Sequence, residues 1–206
     1  MYVTTRRLTI NSAADMPQAV GLVNFIINHI NTNHGTNLAA ATMVGGDPSV
    51  IGVNGRYESL ADFQKLGMAL QSDEEYHSVV QLSSHLFADI QDTIWNVRIP
   101  PGEPQAILSL TNARVNLARV GDAMTFAAEA ASTIGGITGS QVGVATATTG
   151  DRARLLWAAY GADLGELEAD TDAIESSDEY LDLFKRSEGL FIPGHFEQSI
   201  WMRVSP

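Results

Sequence analysis

Apolar and polar positions alternate and recur along the chain in blocks that predict its elements. Met1–Ile10 is rich in Thr, Val and Tyr and alternates weakly, as a strand does. Asp15 and Pro17 then open a helix running to about Asn31. Its apolar stripe Val20, Val23, Ile26, Ile27 and Ile30 follows the 3.6-residue period. Asn37–Val44 and Val50–Glu58 read as short strands around the turn Gly45-Gly46-Asp47-Pro48. A helix begins at Ser59 and runs to Leu70. Ser72 with Glu75 has the spacing of a capping box that restarts it, and Thr93–Arg98 closes as a strand.

The same order then repeats. Ser72-Asp73-Glu74-Glu75-Tyr76 reappears as Ser176-Ser177-Asp178-Glu179-Tyr180, and Leu86-Phe87 as Leu190-Phe191. Ile94-Trp95 reappears as Ile200-Trp201. Matching Tyr57 to Tyr160 sets Trp157 against Asn54, and matching the first strands sets Arg7 against Arg114. The second copy reads as strands at Ile107–Leu117, Gln141–Thr148, Arg152–Tyr160 and Ser199–Val204. Its helices fall near Asp122–Ile134 and within Leu164–Ser187. Repeats in constant order mark a duplicated unit. The expected units are 1–100 and 101–206, with a hinge at 99–104 where Pro100, Pro101 and Pro104 exclude regular structure.

Each unit is β-α-β-β-α-β, the ferredoxin-like plan, in which helices cover one face of a four-stranded antiparallel sheet. The bare face needs a partner, and a second copy supplies one. The expected fold is therefore α+β, with two tandem ferredoxin-like units whose sheets pack face to face as an intrachain α-β barrel.

The run Tyr57-Glu58-Ser59-Leu60-Ala61-Asp62-Phe63, the restart Ser72-Asp73-Glu74-Glu75-Tyr76-His77 and the closing strand with Trp95 resemble the dimeric α-β barrel superfamily. That group includes antibiotic-biosynthesis monooxygenases, small polyketide cyclases, haem-degrading enzymes and chlorite-dismutase-like proteins. Glu74 stands where Pro is common in the motif. The resemblance implies a tandem member acting without a cofactor on a hydrophobic, aromatic or polyketide-like small molecule of secondary metabolism. It speaks more to scaffold than to activity, because these families do not share catalytic residues.

Composition narrows the classes. Twelve Lys+Arg against 24 Asp+Glu leave a net charge of −12, which opposes phosphate-backbone binding. The chain has no cysteine, which removes thiolate chemistry and disulfides and fits a reducing, cytoplasmic setting. No apolar run is long enough to span a membrane. The expected partner is a small molecule, with neither nucleic acid nor membrane; a tandem barrel is self-sufficient but can still pair as a homodimer.

Candidate chemistry is sparse. His29 flanks the apolar stripe of the first helix and is a candidate proton shuttle; the plainer alternative is a partly exposed ring at a helix end. Arg7 and Arg114, in strands covered on both faces, would be buried and would need an anion, either a substrate enolate or phenolate or an internal carboxylate. Trp157 appears in one copy only and is a candidate cavity wall. Tyr57 and Tyr160, at strand ends, are candidate hydrogen-bond donors to a ligand oxygen or caps of the barrel mouth. The small residues Ala39–Ala41, Gly143, Ala145, Ala147 and those of the second copy's first helix leave either close layers or a void of ligand size. No paired-histidine metal spacing occurs among His29, His34, His77, His85 and His195, and no dinucleotide-binding fingerprint follows a strand, so neither metal nor cofactor is assigned. Haem binding, as in chlorite-dismutase-like proteins, would need a histidine facing a large cavity. The competing function is a non-catalytic barrel that binds a hydrophobic ligand or a partner chain.

Overall fold

A computed structural model describes residues 1–204. Eight strands and six α-helices follow in the order β1 (Tyr2–Ile10), α1 (Met16–His34), β2 (Ala39–Val44), β3 (Val50–Tyr57), α2 (Leu60–Gln71), α3 (Glu74–Ser83), β4 (Phe87–Ile99), then β5 (Ile107–Val115), α4 (Val120–Thr138), β6 (Gly143–Ala147), β7 (Arg154–Gly161), α5 (Leu164–Glu175), α6 (Asp178–Lys185) and β8 (Phe191–Arg203). The strands close as a barrel in the order β1-β3-β2-β8-β5-β7-β6-β4. Read within each copy, this is β4-β1-β3-β2 and β8-β5-β7-β6, the ferredoxin-like arrangement. The protein is thus α+β, an intrachain α-β barrel of tandem ferredoxin-like units.

The first compact unit is Met1–Trp95 together with the chain from Met202; the second is Asn96–Trp201. The end of the chain belongs to the first unit for local reasons. Val204 donates its N–H to the Ala40 carbonyl at 2.9 Å and accepts from the Asn24 amide at 2.9 Å.

In unit 1, β1 runs antiparallel to β3 with Leu8 opposite Ile51 and Thr5 opposite Asn54, and β2 pairs with the other edge of β3. Side chains alternate across the sheet. Leu8, Ile10, Ala40 and Ile51 meet Ala19, Val23 and Ile27 of α1 in one buried cluster. Val3, Thr5 and Arg7 project from the opposite face, which the unit's helices do not cover. There the Trp95 indole donates to the Thr5 hydroxyl at 3.0 Å.

Unit 2 repeats the construction. Ala113, Val115, Val144, Leu155 and Trp157 pack on Ala123, Ala127, Ala130 and Ala131 of α4. On the helix-averted face Leu108 lies opposite Tyr160, Leu110 opposite Ala158 and Arg114 opposite Arg154.

Hydrogen bonds at the strand ends fix how the copies correspond. Ile10 donates to the Ser49 carbonyl and Val115 to that of Ala153, both at 2.8 Å. Asn11 donates to Leu86 and Asn116 to Leu190, both at 2.9 Å. Ile10 therefore corresponds to Val115, and Arg7 to Asn112 rather than to Arg114. On β3 and β7 the helix caps at Ser59 and Asp163 give the same answer: Trp157 corresponds to Val53, Tyr57 to Gly161 and Tyr160 to Arg56. The sequence matching of Arg7 with Arg114 and of Tyr57 with Tyr160 slipped because it followed residue likeness, whereas backbone pairing decides register.

Two further local readings change. α3 is capped by Asp73, not Ser72: its Oδ1 accepts from the Tyr76 N–H at 2.9 Å, and Ser177 does the same for α6 through Tyr180. β4 and β8 are each 13 residues long, about twice the expected span. Residues 88–92 and 193–198 are exposed, so no buried alternation announces them. Among the described residues no helix is long and apolar enough to cross a membrane.

Candidate functional site

The residues singled out from sequence fall on both sides of the sheets. Arg7 and Arg114 sit at the ends of β1 and β5 and are half exposed, not buried. Arg7 pairs loosely with Asp47 at 3.9 Å and Arg114 with Asp151 at 3.0 Å. Each counter-ion belongs to the turn entering β3 or β7. Both arginines project from the helix-averted faces near the turns that enter β3 and β7, so each guanidinium reaches water and a turn carboxylate instead of needing a buried anion.

Tyr57 faces the helices. Its ring meets Phe63 of α2 edge-to-face at 5.3 Å, and burial pushes its phenol pKa up. Trp157 also faces its helix layer. Its indole donates to the Ala127 carbonyl of α4 at 3.1 Å and its ring meets Phe191 at 5.8 Å. The small residues of α4 thus make room for an indole, which fills the space that the sequence alone left as either a close approach or a void. In unit 1 the same volume is divided between Val53 and the larger Val23 and Ile27.

Tyr160 and Arg114 share the helix-averted face of unit 2 but lie at its opposite ends. This face carries Leu108, Leu110, Leu156, Ala158 and Ala145, with Tyr160 toward one end. At the other end Arg114 stands directly opposite Arg154, whose half-buried guanidinium donates to the Asn112 Oδ1 at 3.0 Å. Sequence reasoning passed over Arg154 and Asn112. The usable signal was the register: shifting unit 2 by two residues places Asn112, not Arg114, at the position of Arg7.

His29 lies elsewhere, in the layer of helices covering unit 1. α1 carries it one turn before the helix end, and His34 closes the helix ahead of Gly35, whose φ of 64° is a left-handed cap. Both rings turn toward the start of α3. His29 Nε2 lies 2.8 Å and His34 Nε2 2.9 Å from the same oxygen, Asp73 Oδ2. Glu75 Oε2 is 3.6 Å from His29 Nδ1. The side chains of His29, Asp73 and His34 are only 10%, 12% and 19% exposed. The Tyr76 N–H, then His34 and His29, hold the Asp73 carboxyl well below the usual carboxylate range. No sequence motif marks this group, because Asp73 is 39 residues from His34 and joins it only through the packing of α3 on α1.

The fold and these two polar clusters define an α-β barrel whose helix-averted sheet surface in unit 2 is apolar with a cationic end. No protein-family model matches the sequence, and no curated protein matches it. Solved structures do. The chain is similar to a "putative monooxygenase" from Fusobacterium nucleatum subsp. nucleatum at 10% identity and a TM-score of 0.73, covering 99% of this chain and 92% of that one. It is similar to another from Lactobacillus acidophilus at 10% identity and a TM-score of 0.71, covering 98% and 93%. An anthrone oxidase-like protein matches at 13% identity and a TM-score of 0.66, covering 98% and 91%. These likenesses extend over the whole tandem chain and establish the monooxygenase-like barrel fold.

Proposed function

We propose that the protein is an enzyme of the monooxygenase or cyclase type that acts on a hydrophobic aromatic, polyketide-like small molecule without an organic cofactor. One observation carries this reading: Arg114, Arg154 and Asn112 gather at one end of the apolar strip of Leu108, Leu110, Leu156 and Ala158. Such a strip suits the flat face of an aromatic substrate. The guanidinium end suits an oxygen that becomes negative when the substrate enolises. Fixed donors at a developing oxyanion are worth roughly 10²–10³-fold in rate. Tyr160, at the far end, suits hydrogen bonding to a second substrate oxygen.

The neighbours described as monooxygenases and as anthrone oxidase-like support the reaction class. For an anthrone-type substrate the balance closes without an external reductant. The enolate carbon gives two electrons to dioxygen and forms a C–O bond as a hydroperoxide. Loss of the second proton from that carbon then breaks the O–O bond and supplies the other two electrons, leaving the new carbonyl and one water.

The test is oxygen uptake and quinone absorbance with anthrone and related aromatic ketones, for the wild type and for Arg154→Gln. Turnover that falls about 10²-fold or more in the variant, with the fold intact by circular dichroism, supports the proposal. Saturable binding of these compounds with no oxygen uptake would overturn it in favour of a non-catalytic ligand-binding barrel.

A further inference from the structure

We infer that His29, His34 and Asp73 form a binding site for one divalent transition-metal ion, with zinc the best-suited ion, at the junction of α1 and α3. Their three ligand atoms lie within 4.8 Å of one another. Both imidazole Nε2 atoms converge on a single carboxylate oxygen at 2.8 and 2.9 Å. Ligands about 2.05 Å from a metal are separated by about 2.9 Å when cis in an octahedron and about 3.3 Å in a tetrahedron. Each imidazole nitrogen therefore already stands near ligand spacing from the carboxylate oxygen, and an ion entering the group replaces these hydrogen bonds with coordination.

The second copy supplies an internal comparison. α1 and α4 are both 19 residues long and end at Gly35 and Gly139, so His29 corresponds to Thr133 and His34 to Thr138. Asp73 corresponds to Ser177, which caps α6 through the Tyr180 N–H as Asp73 caps α3 through that of Tyr76. The unit folds the same way with three hydroxyl residues at these places. Helix capping explains an Asp or Ser at 73, and uses only Oδ1. It does not explain two imidazoles on Oδ2. All three metal-ligating residues occur in one copy and none in the other.

The surroundings have the features of a metal centre. All three ligands sit at the ends of, or within, regular helices that pack on the unit 1 core, so their positions are held before the ion arrives. The Asn33 amide, 3.1 Å from His29 Nδ1, is the outer partner that holds the ring with Nε2 toward Asp73, and the Glu75 carboxylate stands 3.6 Å from the same nitrogen. Partial exposure leaves an approach for water or a small ligand to complete the coordination. Two imidazoles and one carboxylate favour first-row transition ions over magnesium or calcium. Zinc accepts such a set with little demand on geometry.

The experiment titrates the chelator-treated 206-residue chain with Zn²⁺ by calorimetry and with Co²⁺ by visible absorption. The expected result is one equivalent bound, a raised melting temperature with Zn²⁺, and cobalt d–d bands that weaken as protons compete at lower pH. The double variant His29→Thr/His34→Thr, which copies unit 2, loses the stoichiometric site and the cobalt bands. Asp73→Asn keeps the helix cap and size while removing the anionic ligand; it serves if the double variant fails to fold, and it weakens binding at least tenfold. No stoichiometric binding to the wild type would overturn the proposal. So would equal binding by the variants, which would assign the metal to His77, His85 or His195.

Discussion

The Trp157 indole N–H donates to the Ala127 carbonyl across 3.1 Å, so the largest side chain of β7 rests on one of the smallest of α4. The two sizes depend on each other. Trp157→Ala is expected to cost about 3–5 kcal/mol, because the cavity cannot collapse around a rigid helix. Ala127→Val alone overpacks and costs about 1–3 kcal/mol. Combining Trp157→Val with Ala127→Val copies the unit 1 pairing of Val53 with Val23 and should recover part of the loss. Urea denaturation of these variants and of Trp157→Val alone measures it, and strict additivity of the two Val substitutions would show that the two positions do not share one volume.

Tyr57 gives a pH dependence with a definite sign. Burial against Phe63 raises the phenol pKa in the folded state, while the unfolded chain presents a phenol that ionises near 10. Above about pH 10 the unfolded state therefore loses protons that the folded state keeps. The stabilising contribution is fully present below that pH and is lost as pH rises toward the folded pKa. Tyr57→Phe is expected to flatten this alkaline decline, read as the urea midpoint between pH 8 and 11. An unchanged slope would assign the decline to Tyr180, whose pKa is also raised by burial.

Arg154→Lys separates charge from geometry at the cationic end of unit 2. Lysine keeps the charge but loses the planar fork that reaches Asn112. If the fork orients the substrate oxyanion, kcat falls by an order of magnitude or more while substrate affinity changes less. A variant with wild-type kcat would limit Arg154 to a general electrostatic role.

Arg7 is expected to be dispensable for stability. Its guanidinium is 49% exposed and stands 3.9 Å from a carboxylate that is also half exposed. Such a pair is solvated and screened by salt. Arg7→Ala should melt within experimental error of the wild type at 0.15 M salt. A clear loss would show instead that the pair with Asp47 holds the turn entering β3.

The sequence by itself determined the tandem repeat, the order β-α-β-β-α-β in each half and the apolar stripes that fix which face of α1 is inside. Those signals are local: the period of Val20 to Ile30 and the turn at Gly45-Gly46 each act within a few residues of chain. Only the tertiary structure decided which side of a sheet a residue serves. A slip of one or two positions, as with Tyr160 against Tyr57 or Arg114 against Arg7, changes the face or the depth of a side chain, and only inter-strand hydrogen bonds remove that ambiguity. The same holds for His29, His34 and Asp73. Their meeting depends on how α3 lies against α1, a packing outcome spread over the whole unit 1 core and written in no short stretch of sequence.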